Sequence, residues 1–158
     1  MAARVVKSIA ELQGLAGSEI AVTDWLTVTQ ERITQFAEAT EDRQWIHVEP
    51  QRAERESPYG AAIAHGFLTL SLLSHFLRQA LEIRGVRMSV NYGLNRVRFP
   101  AAVRAGSRVR ARVVLASVEE RGDGCEAVFS ITVEGEGAAK PCCVAEWVVR
   151  FYPSRRNA

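Results

Sequence analysis

Between Ala64 and Leu81 the chain reads AHGFLTLSLLSHFLRQAL, and no other stretch restricts the possible folds so strongly. From Phe67 onward it has the length and composition of a helix, yet its apolar residues are not confined to one stripe. Phe67, Leu68, Leu70, Leu72, Leu73, Phe76, Leu77, Ala80 and Leu81 cover most of the circumference. A helix that is apolar nearly all round either spans a membrane or is enclosed by its own protein. A bilayer crossing takes about 20 apolar residues. Here Thr69, Ser71, Ser74 and His75 interrupt the run before Arg78 ends it. The stretch predicts a buried helix over Gly66–Leu81, roughly four turns and about 25 Å long.

The remaining sequence has the means to enclose it. A chain of 158 residues suits a single domain spanning residues 1–158. With 47% apolar and 24% charged residues, its composition is that of an ordinary globular protein. The opening MAARVVKSIAEL has too short an apolar run for a secretory signal, so the expected location is cytoplasmic, with no membrane association. A net charge of +2 does not point to nucleic acid as a partner. Cys125, Cys142 and Cys143 make no disulfide framework, because adjacent residues of a strand face opposite ways. They read as small buried apolar residues in a reducing compartment.

Taken in order, Ser8 and Glu11 have the spacing of a capping box and open a short helix that ends near Gly14 or Gly17. Glu19–Leu26 alternates as a strand. Thr29 is placed to cap a helix over Gln30–Thr40. Residues 41–66 are long and irregular, with room for a helical turn around Pro50–Glu54, and loops of that length are commonly functional. After the central helix come five runs with strand-like alternation: Val86–Tyr92, Leu94–Phe99, Ser107–Glu120, Cys125–Glu134 and Pro141–Tyr152. Asp123-Gly124 between two of them is a hairpin signal. A strand, helices, one buried helix and then an antiparallel meander amount to an α+β fold with a sheet curled around one helix. Arg108, Arg110 and Arg112 alternate with apolar residues, giving a basic strand face: a solvated outer surface, or a site for a phosphorylated ligand.

The groups able to do chemistry converge on the irregular stretch. Asp42 and His47 stand five residues apart just past a helix end, separated in part by Trp45 and Ile46. A carboxylate and an imidazole on one tight loop can share a water molecule and move its protons near neutral pH. The plainer alternative is an aspartate accepting turn N–H bonds beside a structural histidine. His65-Gly66 opens the central helix, where unpaired N–H groups favour negative charge and glycine admits close approach to the backbone. That could hold a developing oxyanion, or simply let two backbones pack. His47, His65 and His75 form no HxxxH or HExxH pair and have no cysteine cluster beside them, so no metal site is expected.

Three segments carry a resemblance to a known family: ATEDRQWIHVEP at 39–50, IAHGFLTLSLLSHF at 63–76 and NYGLNRVRFPAAVRAGSRV at 91–109. Together they resemble MaoC-like, (R)-specific enoyl-CoA hydratases and dehydratases, within a nodulation-factor N-like subgroup. The resemblance implies a hot-dog fold, a homodimer, an acyl-CoA thioester as substrate and no separate cofactor. It implies that Asp42 and His47 hold the catalytic water and that the Gly66 N–H receives the thioester carbonyl. It further implies that Ser74 orients Asp42 or lines the substrate site, and that His65 contributes to substrate binding. Glu41 departs from the subgroup, where glycine is frequent, and Ala102 stands where proline is common. The activity expected from this likeness is addition of water to a trans-2-enoyl-CoA, or its reversal. A hot-dog acyl-CoA thioesterase and a non-catalytic acyl-CoA-binding subunit are the alternatives.

Overall fold

In the computed structural model, which describes residues 2–154, local sequence signals set most element boundaries. After strand β1 (Arg4–Val6), Ser8 Oγ accepts the Glu11 N–H at 3.2 Å and starts helix α1 (Ile9–Gln13). The Glu11 carboxylate reaches back to the Lys7 N–H at 2.8 Å. The expected strand Glu19–Leu26 is divided into β2 (Ser18–Val22) and β3 (Leu26–Thr27). Thr29 Oγ1 caps α2 (Gln30–Thr40), which buries Ile33 and Ala37. The irregular stretch holds more helix than its prolines and glycines suggest: α3 (Trp45–Val48) and α4 (Pro50–Glu56). Pro50 opens α4, where a missing N–H costs nothing.

The central stretch is two helical segments, α5 (Gly66–Ser71) and α6 (Leu73–Ala80), joined through Leu72. The expected continuous helix over Gly66–Leu81 is therefore corrected at both points. It breaks at Leu72, and Leu81 has extended backbone and begins β4 (Leu81–Ile83). Enclosure is also one-sided. Leu68, Leu72, Leu73, Phe76, Leu77 and Ala80 are buried against the sheet, whereas Phe67, Ser71, His75 and Arg78 are exposed. Phe67, at 68% exposure, shows how fully that stripe is open.

The main sheet runs β2-β6-β7-β8-β5, with β3 also beside β6, and β4 pairs parallel to β1 in a separate two-stranded sheet. Its long strands are β5 (Val86–Arg98), β6 (Arg108–Arg121), β7 (Gly124–Gly135) and β8 (Cys143–Pro153), paired antiparallel. The two runs expected on either side of Gly93 are one strand. Gly93 sits at a register shift, the usual meaning of a glycine inside a strand. The meander is confined to β6, β7 and β8, because β5 crosses to the far side and pairs with β8. The tight β6–β7 loop is Gly122-Asp123, one residue earlier than the sequence signal, with Gly122 at φ 59°.

Inward residues of the sheet, among them Val113, Leu115, Phe129, Ile131 and Trp147, pack on Phe76 and its helical neighbours. Each such side chain contributes about 1.5–3 kcal/mol by leaving water. All three cysteines are free and buried, and burial pushes the Cys143 thiol up to about 11. The basic face of β6 is neutralised from neighbouring strands: Arg108 pairs with Glu136, Arg110 with Glu134, and Arg112 with Glu19 and Glu134. Arg110 also covers the Trp25 ring at 4.6 Å. These arginines form a paired outer face. Among the described residues no helix is long and apolar enough to cross a membrane.

Candidate active site

Helix α2 ends with Glu41 in the left-handed conformation at φ 62°, the only non-glycine with positive φ among the described residues. That turn reverses the chain and leaves the Asp42 side chain 55% exposed. Three residues later the single turn of α3 carries His47 inward until only 6% of it remains exposed. His47 is held at two points. Its ring Nδ1 lies 2.7 Å from the Ile63 carbonyl, and its own carbonyl accepts Gln30 Nε2 at 2.7 Å. Ile63 is fixed in turn, since its N–H donates to Ile46 O at 3.0 Å and the next residue, Ala64, donates to Val103 O at 2.7 Å.

A carbonyl oxygen can only accept, so the proton of neutral His47 sits on Nδ1 and the Nε2 lone pair is free to act as a base. Burial lowers the His47 pKa below its ordinary value, and the neighbouring His65 acts in the same direction. The Ile63 carbonyl and the Asp42 charge oppose the shift without reversing it. The ring is neutral at pH 7.

His65 is 3% exposed. The same reasoning puts its proton on Nε2, which donates to the Asp42 backbone carbonyl at 2.9 Å, with the Asp42 carboxylate 3.9 Å away. Its ring stacks on His47 with centroids 3.7 Å apart and contacts Phe36 at 5.0 Å. The structure thus sets His65 behind the dyad, joining Asp42 to His47. Asp42, His47 and His65 each place one ligand-type atom within 4.8 Å of the others. Stacking makes this a poor metal cage, because two rings 25° from parallel send their in-plane lone pairs side by side. A gap of up to 4.8 Å between a carboxylate and an imidazole suits one bridging water.

Gly66 begins α5 directly after His65, and no acceptor within the described residues takes its N–H. A Cβ at this position would stand 2.9 Å from Cδ2 of Phe99, so only glycine fits beneath that ring without displacing it. Ser74 lies eight residues along the helical stretch, about 12 Å from Gly66 at 1.5 Å per residue, and makes no hydrogen bond to Asp42. It borders a groove between the helices and β5 instead.

A family model described as "MaoC like domain" matches residues 11–135. The chain belongs to the MaoC-like dehydratase domain family. It is 52% identical over 149 residues to "3-hydroxyacyl-thioester dehydratase Z" of Mycobacterium tuberculosis, a match covering 94% of this chain and 98% of that protein. It is 45% identical over 153 residues to "Nodulation protein N" of Rhizobium leguminosarum, covering 94% and 95% respectively, which agrees with the expected subgroup. Among solved structures, the (R)-hydratase from A. caviae involved in PHA biosynthesis superposes with a TM-score of 0.70 at 25% identity, covering 87% of this chain and 96% of that one. The α+β hot-dog architecture of this MaoC-like chain follows from both comparisons.

Sequence reasoning singled out Asp42, His47, His65 and Gly66, and the fold gathers these four at one end of the central helix. It missed Gln30, Ile63 and Phe99. Ile63 acts through its backbone carbonyl, which no side-chain pattern announces. Gln30 looks like any helix-forming residue near an N-terminus. Phe99 before Pro100 carried a faint signal, an apolar residue at a strand end whose partner lies thirty-three residues away.

Proposed function

We propose that this protein is an (R)-specific enoyl-CoA hydratase, catalysing the reversible syn addition of water to a trans-2-enoyl-CoA. One observation carries the reading: a neutral His47 with a free Nε2, one nitrogen of its ring within 4.8 Å of the exposed Asp42 carboxylate, beside the unpartnered Gly66 N–H. Water held by Asp42 and His47 gives a proton to the dyad as its oxygen bonds to C3. The C2=C3 π electrons pass to the thioester oxygen as an enolate, and the dyad returns a proton to C2. The Gly66 N–H receives the enolate oxygen, a contribution of about 3–4 kcal/mol for a well-aimed donor. No proton or electron leaves the balance, so the reaction calls on no separate cofactor. The names of the 52% identical relative and of the A. caviae hydratase support this class of chemistry.

Assembly as a homodimer fits the same reading. The outer edge of β5 pairs with no other strand among the described residues, and Met88, Val90, Tyr92 and Leu94 along it are 40–58% exposed. A thirteen-residue edge strand with such exposed apolar side chains needs a cover, and a second copy pairing β5 against β5 supplies one.

Loss of enoyl-thioester absorbance with crotonyl-CoA, run beside a thiol assay, tests the activity. Hydration without thiol release, reduced at least about a hundredfold in Asp42→Asn and in His47→Gln, is the expected result. Thiol release would replace the hydratase with a thioesterase. Binding of enoyl-CoA without turnover would indicate an accessory subunit.

A further inference from the structure

Two cavities, of about 320 and 330 Å³, follow the open side of the central helices and share Ser74, Asn91 and Trp147. They form one groove. The end nearer Gly66 is mostly apolar, lined by Leu70, Leu73, Leu94 and Trp147. The other end adds polar side chains to apolar walls: Ser74, Arg78, Ser89 and Asn91 stand there among Leu77, Leu81, Ile83 and Val86, over Val149 and Phe151.

Residues directly opposite in an antiparallel pair share a face. Ser89 stands opposite Phe151, Asn91 opposite Val149 and Leu94 opposite Trp147, all three partners being buried. Ser89 and Asn91 therefore lie on the face of the sheet that carries Val149 and Phe151, at positions the rest of the chain leaves exposed. On the helix, Ser74 and Arg78 are four residues apart and lie on one face. Ser71 turns its hydroxyl back to Phe67 O at 2.7 Å, but Ser74 does not bond its own helix. Arg78 has no carboxylate partner among the described residues, unlike Arg108, Arg110, Arg112 and Arg150. Four polar side chains with no partner among the described residues thus converge on one end of a groove that begins a turn beyond Gly66. All four can donate hydrogen bonds, and Arg78 can only donate.

Building on the hydratase reading, we infer that the favoured substrate has a medium-length acyl chain ending in an acceptor oxygen, best a carboxylate, received by Arg78, Asn91, Ser89 and Ser74. With the thioester carbonyl at Gly66, Ser74 lies about 12 Å and Arg78 about 18 Å along the helix axis at 1.5 Å per residue. The apolar part of the groove takes the methylene chain and the polar end takes its terminus. In the proposed homodimer, pairing along the β5 edge would use backbone groups, and Ser89 and Asn91 would keep the face they share with Val149 and Phe151. A methyl terminus would forgo these contacts and leave the exposed guanidinium to water, whereas a carboxylate gains a charge-assisted hydrogen bond from it.

The test compares medium-chain 2-enoyl-CoA thioesters of equal length ending in methyl or in carboxylate, using wild type, Arg78→Leu and Asn91→Leu. Wild type is expected to favour the carboxylate-ended chain by about tenfold or more in kcat/KM, mainly through KM, and Arg78→Leu to remove that preference. Calorimetric binding of the saturated methyl-ended and carboxylate-ended acyl-CoA analogues gives the same comparison without turnover. Equal kcat/KM or equal affinity for the two termini in wild type, or a preference unchanged in Arg78→Leu, overturns the inference. Crotonyl-CoA, too short to reach Ser74, separates the two readings: if wild type fails to hydrate it, the hydratase reading falls. The binding comparison then still decides whether the groove selects a carboxylate.

Discussion

The rings of His47 and His65 stack with centroids 3.7 Å and planes 25° apart. Burial holds the His47 pKa below its ordinary value, and the neighbouring His65 acts in the same direction. His65 also ties the Asp42 backbone to this stack at 2.9 Å. It therefore positions both halves of the dyad without facing solvent.

Replacing His65 with alanine should cut kcat/KM by about a hundredfold, the scale expected for small misplacements of catalytic groups. It should also move the acid limb of the pH profile upward, because a neighbour that lowers the His47 pKa is gone and water reaches the ring. Steady-state rates from pH 5 to 8 check this. An unchanged limb would show that His65 does no more than fill space.

His47 should leave its mark on both activity and stability below neutrality. Its folded pKa is depressed relative to the ordinary value of about 6.5, so the unfolded chain binds the extra proton more readily. The His47 contribution is then complete above about pH 6.5 and is lost progressively as the pH falls through that value. Urea titrations at a series of pH values should show a drop in unfolding free energy on the acid side that is shallower in His47→Gln. Hydration rate should fall in the same direction, as the base becomes protonated.

Glu41 holds a left-handed backbone, at φ 62°, that side chains other than glycine occupy at a cost of about 1–2 kcal/mol. Glu41→Gly should stabilise the protein by about 1 kcal/mol or slightly less, since glycine also frees the unfolded chain. Denaturant midpoints would register the gain. A loss of stability would mean that the Glu41 side chain makes a contribution larger than its strain.

A methyl group on Gly66 must displace the Phe99 ring, 2.9 Å away. Gly66→Ala is expected to lower kcat by about tenfold to a thousandfold, the range for a disturbed oxyanion donor. The double variant Gly66→Ala/Phe99→Leu should recover part of that loss. Absence of any recovery would assign the defect to the α5 N-terminus itself, independent of the ring above it.

Much of this was legible before any coordinates. The caps at Ser8 and Thr29 depend on residues three positions apart, and such short-range chemistry is written directly in the sequence. The Asp42/His47 spacing and the His65-Gly66 pair were legible for the same reason. What escaped depends on distance in the chain. The apolar circumference of the central stretch suggested complete enclosure, but the chain covers only one side, leaving Phe67 and Arg78 open. Gly93 looked like a break because composition cannot distinguish a bulge from a turn. Nor could alternation along β6 reveal that Glu19, Glu134 and Glu136 would neutralise its arginines. The stacking of His47 on His65 joins residues eighteen apart, and no local pattern contains it.

Strand β5 is at once the unpaired edge of the sheet and one wall of the groove beside the central helices. In the proposed homodimer a single backbone ladder would answer to two occupants. Whatever free energy a neighbouring chain gained by stiffening that ladder would be felt by a molecule in the groove, and the relation is reciprocal. Under this linkage, ligand concentration and protein concentration would not be independent variables. Saturating the groove should slow subunit exchange, and dilution should loosen the grip on long acyl chains before it affects short ones.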